Sequence, residues 1–132
     1  SRVAVENLPM INDITNEIMH GLTPEMIAEI KDASGCKFCF DFAHAICAAN
    51  GLGLRHDDVM AGFAALKPDM YHLCDGDING ENDVHWHYDL DKYLARYIAP
   101  DALVTMETGG KPAGIQPWIN DREYIRRLQR QL

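Results

Sequence analysis

The sequence predicts an α/β chain built on a parallel sheet, and three observations predict it. Four short runs, Val3–Leu8, Lys37–Phe42, Met70–Cys74 and Leu103–Thr108, are rich in β-branched, aromatic or long apolar residues on both faces, as parallel strands covered on both sides are. Segments with apolar residues at helical spacing lie between them. The order of strand then helix repeats four times along the 132 residues, which asks for right-handed crossovers between parallel strands.

The elements follow in order. After the first strand, "TPEMIAEIKDASG" offers Thr23 as N-cap, Pro24 at the first helical position, Met26, Ile27 and Ile30 on one face, and Gly35 as the stop. The second strand runs into the small-residue segment "FAHAICAAN", with Asp41 a candidate N-cap where strand gives way to helix. "HDDVMAGFAALKP" groups Val59, Met60, Phe63 and Leu66 and ends at Pro68. "YDLDKYLARYIAPD" groups Leu90, Tyr93, Leu94, Tyr97 and Ile98 and ends at Pro100. Residues 109–117, "GGKPAGIQP", read as a loop, and "NDREYIRRLQRQL" as a last amphipathic helix capped by Asn120 or Asp121.

With 47% hydrophobic and 24% charged residues, residues 1–132 are expected to form one domain. The net charge of −8 disfavours a surface that tracks phosphates. The one basic cluster, Arg122, Arg126, Arg127 and Arg130, reads as a solvated helix face offsetting the helix dipole. Neither a membrane-spanning run nor a secretory leader is legible. Cys36, Cys39, Cys47 and Cys74 sit in apolar surroundings, so reduced, buried thiols and a cytoplasmic protein are expected. Cys36 and Cys39 have zinc-knuckle spacing but no second pair, and in a strand they point to opposite faces. The chain opens at Ser1, just before a strand, which suggests a trimmed or partial chain.

Every strand ends in an ionisable group. The first ends in Glu6-Asn7 and the second in Asp41, with His44 just beyond; the third holds His72 and the fourth ends in Glu107. In a parallel sheet these carboxyl ends share one edge, where open α/β sheets and barrels place their sites. Two Glu, one Asp and one His make an oxygen-rich set suited to a hard or borderline divalent cation. A second cluster, "DGDINGENDVHWHYD", carries Asp75, Asp77, Glu81, Asp83, His85, His87 and Asp89. Its bland reading is an acidic, solvated turn. Against that, Asp83 and His85 project to the same side of an extended loop and can share a metal. The segment lacks the bidentate Glu at the twelfth position of a calcium loop.

Taken together, "VAVENLP", "FDFAHA", "YHLCDGD…NDVH" and "VTMET" resemble the second half of the xylose-isomerase-like TIM barrels. That superfamily includes sugar phosphate isomerases and epimerases and the endonuclease IV class of apurinic-site nucleases (AP endonuclease family 2). The resemblance implies strands five to eight of a (β/α)8 barrel, that is, a partial TIM barrel of four parallel strands alternating with helices. It implies metal ligands at Glu6, Asp41, His72 and Glu107. It implies a substrate or second-metal role for His44, and for Asp83 and His85 the Asp-x-His that the nucleases use for an additional zinc. The chain departs from the family where "HWHYDLD" replaces the usual Gly-x-Gly after the Asp-x-His. A complete barrel takes about 250 residues, so a partner is expected: the missing half-barrel, or a second copy of this chain.

The function expected on this basis is that of a divalent-metal-dependent sugar or sugar phosphate isomerase or epimerase, using manganese, magnesium or cobalt. Glu6 and Glu107 would act as base and acid across adjacent carbons. Trp86 and Trp118 are candidates for an apolar wall against the sugar, although Trp118 equally suits an anchor for the last helix. Two alternatives stand beside it: a zinc-dependent nuclease, opposed by the acidic charge, and a non-catalytic half-barrel.

Overall fold

A computed structural model describes residues 2–12, 14–74, 77–81, 96–107 and 115–131. Its elements run β1 (Ala4–Glu6), α1 (Pro24–Ser34), β2 (Lys37–Asp41), α2 (Phe42–Leu52), α3 (His56–Ala65), β3 (Met70–Leu73), β4 (Leu103–Met106) and α4 (Gln116–Gln129). The four strands form one sheet in the order β1-β2-β3-β4, every neighbouring pair parallel. The expected α/β class and parallel sheet are therefore present.

Period-two alternation sorts the strand side chains. Phe38, Phe40, Tyr71 and Leu73 share one core with Ile27 of α1, Phe42 and Ile46 of α2, Met60 and Phe63 of α3, and Ile125 and Leu128 of α4. At its centre Phe40 meets Phe63 at 5.3 Å and Phe42 at 4.6 Å between ring centroids, within the range of favourable aromatic pairs. This helix-covered face holds the sheet together. The strands were expected to be covered on both sides; the other face is instead buried only at Cys39 and Asp41, and opens toward β4, where Leu103 is 62% exposed.

Local chemistry explains the helix ends. The Thr23 side chain accepts from Met26 N, Pro24 stands in the first turn, and Gly35 takes the left-handed conformation at the C-cap. Asp41 ends β2 and is also the N-cap of α2, its Oδ1 accepting from His44 N at 2.8 Å, so strand passes into helix with no loop. The β2–β3 crossover thus carries two helices, α2 and α3.

The last helix corrects the sequence reading. It begins at Gln116 rather than after Asn120 or Asp121, with Pro117 in its first turn and no side-chain cap. A first-turn proline sits where no backbone donor is needed, and Asp121 is buried within the helix. Arg122, Arg126, Arg127 and Arg130 are all exposed, as a solvated face requires. Of the helix expected over 88–101, residues 88–95 lie outside the described residues; Ile98, beyond them, is buried in the core. All four cysteines are thiols; Cys39, Cys47 and Cys74 are buried as expected, whereas Cys36, just before β2, is only half-buried, and Cys36 and Cys39 do not come together as ligands. Among the described residues no helix is long and apolar enough to cross a membrane.

One element was not anticipated. Between β1 and α1 the chain folds back as a small hairpin, with an antiparallel bridge between Ile11 and Ile18. Asn12 N donates to Glu17 O and Met19 N to Met10 O, both at 2.9 Å, and Leu8 N closes the base on Gly21 O at 3.3 Å. The side chain of Met10 lies where a Cβ on Gly51 of α2 would fall, so this glycine admits the hairpin onto the helix.

Candidate metal centre

The register of the sheet assembles the site. Glu6 pairs with Cys39 across β1 and β2, and Asp41 pairs with His72 across β2 and β3. Glu107 N donates to Leu73 O at 2.9 Å, which carries the β3–β4 ladder one step past the end of β4. Residues at the carboxyl ends of all four strands thus reach one point. Glu6, Asp41, His72 and Glu107 each offer a ligand atom within 4.8 Å of the others.

The arrangement around His72 states what the point requires. Its Nδ1 lies 3.1 Å from Glu6 Oε1 and 3.1 Å from Glu107 Oε1. One imidazole nitrogen carries at most one proton, so it cannot donate to both carboxylates along good lines. Three carboxylates converging on one imidazole form an oxygen-rich, electronegative set, and a divalent cation fits both its charge and its donor types. Asp41 is fully buried, whereas Glu6 and Glu107 are 29% and 33% exposed. With His72 at 21%, the two glutamates are the members of the set most open to an incoming molecule.

Asn7, fully buried just past β1, ties Asp41 and His44 to the first strand. Its Nδ2 donates to Asp41 O at 2.8 Å and its Oδ1 accepts from Asp41 N at 2.8 Å. Its backbone oxygen accepts from His44 Nδ1 at 2.9 Å. A carbonyl only accepts, so Nδ1 carries the proton, and in the neutral ring Nε2 is left as an acceptor. His44 Nδ1 also stands 3.6 Å from Glu6 Oε1 and 3.8 Å from Asp41 Oδ1. His44 therefore borders the four-residue group.

Cys39 belongs to this face as well, grouping with Glu6 and His72 as a possible third donor. Its thiol is pushed up to about 12, first by burial and then by the charges of Glu6, Asp41 and Glu107. The sulfur is thus held as a neutral thiol beside the carboxylates.

Sequence reasoning missed two participants. Cys39 was read as a buried small hydrophobe, although it stands two residues before Asp41 on the same strand and hence on the same face. Asn7 left no local signal, because its partner Asp41 is 34 residues away. Asp83 and His85, with Trp86, His87 and Asp75, lie outside the described residues. Trp118 stands in the first turn of α4, half-buried.

No family model, curated protein or solved structure matches the chain. What the site can do is thus a question of its donors and their placement.

Proposed function

We propose that this chain is the metal-binding half of a sugar or sugar phosphate isomerase or epimerase, corresponding to strands five to eight of a TIM barrel. The observation that carries it is the convergence of Glu6, Asp41, His72 and Glu107 at the carboxyl ends of four parallel strands in sequential order. That order, with α1 to α4 contributing to one core against one sheet face, is what a barrel wall requires. On this reading the exposed edge at Leu103 and the site-bearing face are completed by a first half-barrel or by a second copy of the chain.

Glu6, Asp41, His72 and Glu107 would hold the cation. When bound, a divalent metal polarises a carbonyl or hydroxyl oxygen of the substrate. Asp41, buried and tied to the α2 cap, fixes the set. Glu6 and Glu107 reach the same point from the first and last strands. One takes a proton from the carbon beside the substrate carbonyl, and the other returns a proton at the neighbouring position. His44, with its Nδ1 proton committed to Asn7 O, presents Nε2 to accept a hydrogen bond from a substrate hydroxyl.

Elemental analysis after equilibration with manganese, cobalt, magnesium and zinc tests the metal site. Exchange of solvent deuterium into a panel of aldoses, ketoses and their phosphates tests the chemistry. About one manganese, cobalt or magnesium per chain, with exchange at carbon beside the carbonyl, is the expected result. Two or more zinc ions with cleavage of abasic DNA would give the site to a nuclease. Bound metal without exchange, in the chain combined with whatever completes the sheet, would leave a non-catalytic module.

A further inference from the structure

We propose that the hairpin between β1 and α1 is an apolar subsite of the metal centre, so that the substrate carries an apolar end beyond the hydroxy-carbonyl group held at the metal. This rests on the metal-dependent reading above and narrows its substrate class.

A cleft of about 260 Å³ lies against the hairpin, lined by Leu8, Pro9, Ile11, Ile14 and Met19, with His44 in its wall. His44 is the link between the two. It lines the cleft and its Nδ1 stands 3.6 Å from Glu6 Oε1, so on this proposal a molecule anchored at the carboxylates would extend past His44 onto the hairpin.

The lining chemistry selects the occupant. Among the described residues that line the cleft, only Asn12 and His44 are polar and none is a lysine or arginine. A phosphate placed there would meet no cation, and a polyhydroxylated end would lose most of its hydrogen bonds to water. An alkyl, deoxy or aryl end loses nothing and gains apolar contact.

Two further contacts tie down the described parts of the hairpin. Asn12 Oδ1 accepts from Ile14 N at 2.8 Å and from Thr15 N at 3.0 Å, fixing the turn. Met10 anchors the other side of the ribbon over Gly51. Ile14 stands in water at 94% exposure, with Ile18 at 68% across the same ribbon. Of the two, Ile14 lines the cleft, and an apolar side chain so exposed has contact to gain from an apolar ligand end.

Alkyl hydroxamates test the subsite, because the hydroxamate head chelates metal and the tail length can be varied alone. Acetohydroxamate, butanohydroxamate and hexanohydroxamate are titrated into the manganese-loaded protein by calorimetry, together with Ile14→Ser and Ile14→Leu. The six-carbon tail is expected to tighten binding about tenfold over the two-carbon one, a fraction of the full-burial value because the cleft is open. Ile14→Ser removes most of that gain and Ile14→Leu keeps it, while acetohydroxamate affinity and metal content stay unchanged in both. A flat series on metal-loaded protein, or a gain indifferent to Ile14→Ser, overturns the subsite and leaves the metal centre standing. Failure to bind manganese, cobalt or magnesium overturns the metal centre and the subsite with it.

Discussion

The side-chain amide of Asn7 pairs with the backbone of Asp41 as a peptide group would, donating to its carbonyl and accepting from its N–H, each at 2.8 Å. The β1–β2 ladder ends at Glu6 and Cys39, and this pair extends it by one step at the point where Asp41 turns from strand into helix cap. Removing the amide leaves a buried donor and a buried acceptor to be satisfied elsewhere. Asn7→Ala is expected to lower stability by about 2–4 kcal/mol and to weaken divalent-metal binding. Urea unfolding and metal titration check both. Asn7→Asp retains the acceptor but loses the donor and adds a charge beside Asp41, so it should rescue neither. An unchanged urea midpoint in Asn7→Ala would show that the clamp carries no energy.

Metal should stabilise the fold. A ligand that binds only the native state at a hundred times its dissociation constant adds about 2.7 kcal/mol, or roughly 5–10 °C in Tm for a chain of this size. Differential scanning fluorimetry with manganese or cobalt, reversed by chelator, measures it. His72→Ala should abolish the shift, because it removes the one nitrogen of the set. A shift that survives in His72→Ala would place the ion elsewhere.

Glu107→Gln separates turnover from binding. The amide keeps the size of the side chain and one oxygen but can no longer carry the transferred proton. With metal at saturation, kcat should fall by about a hundredfold or more while KM moves only a few-fold. Near-normal kcat would remove Glu107 from the acid/base assignment.

Cys39 provides a pH test with a definite sign. Its folded value of about 12 lies above the ordinary 9.0, through burial first and then the carboxylates of Glu6, Asp41 and Glu107. A group raised in this way contributes stability fully below pH 9 and loses it as pH climbs from 9 toward 12. The raised phenol of Tyr71, shifted chiefly by burial, adds to the loss in the same direction at high pH. Urea midpoints of metal-free protein should therefore decline over that window, and less steeply in Cys39→Ala. At pH 8.5 in the native state, iodoacetamide should modify half-buried Cys36 at least tenfold faster than Cys39.

Much of the chain is legible in its sequence. Apolar runs bounded by turn residues marked the four strands, Thr23 and Gly35 marked the ends of α1, and the ionisable residue closing each strand marked the edge where a site would lie. These are local properties: alternation, capping and charge act within a few residues of where they are written. The tertiary structure alone decided that Asp41 stands opposite His72 and Glu6 opposite Cys39. Register between strands is set by how Phe38, Phe40, Tyr71 and Leu73 pack under the helices, and no single strand encodes it. For the same reason Asn7 surfaced as a clamp, and the Leu8–Gly21 connection as a hairpin over Gly51, only once distant segments met. The sequence by itself determined which ionisable residues close the strands; packing decided which of them share a point in space, and added Asn7 and Cys39 beside them.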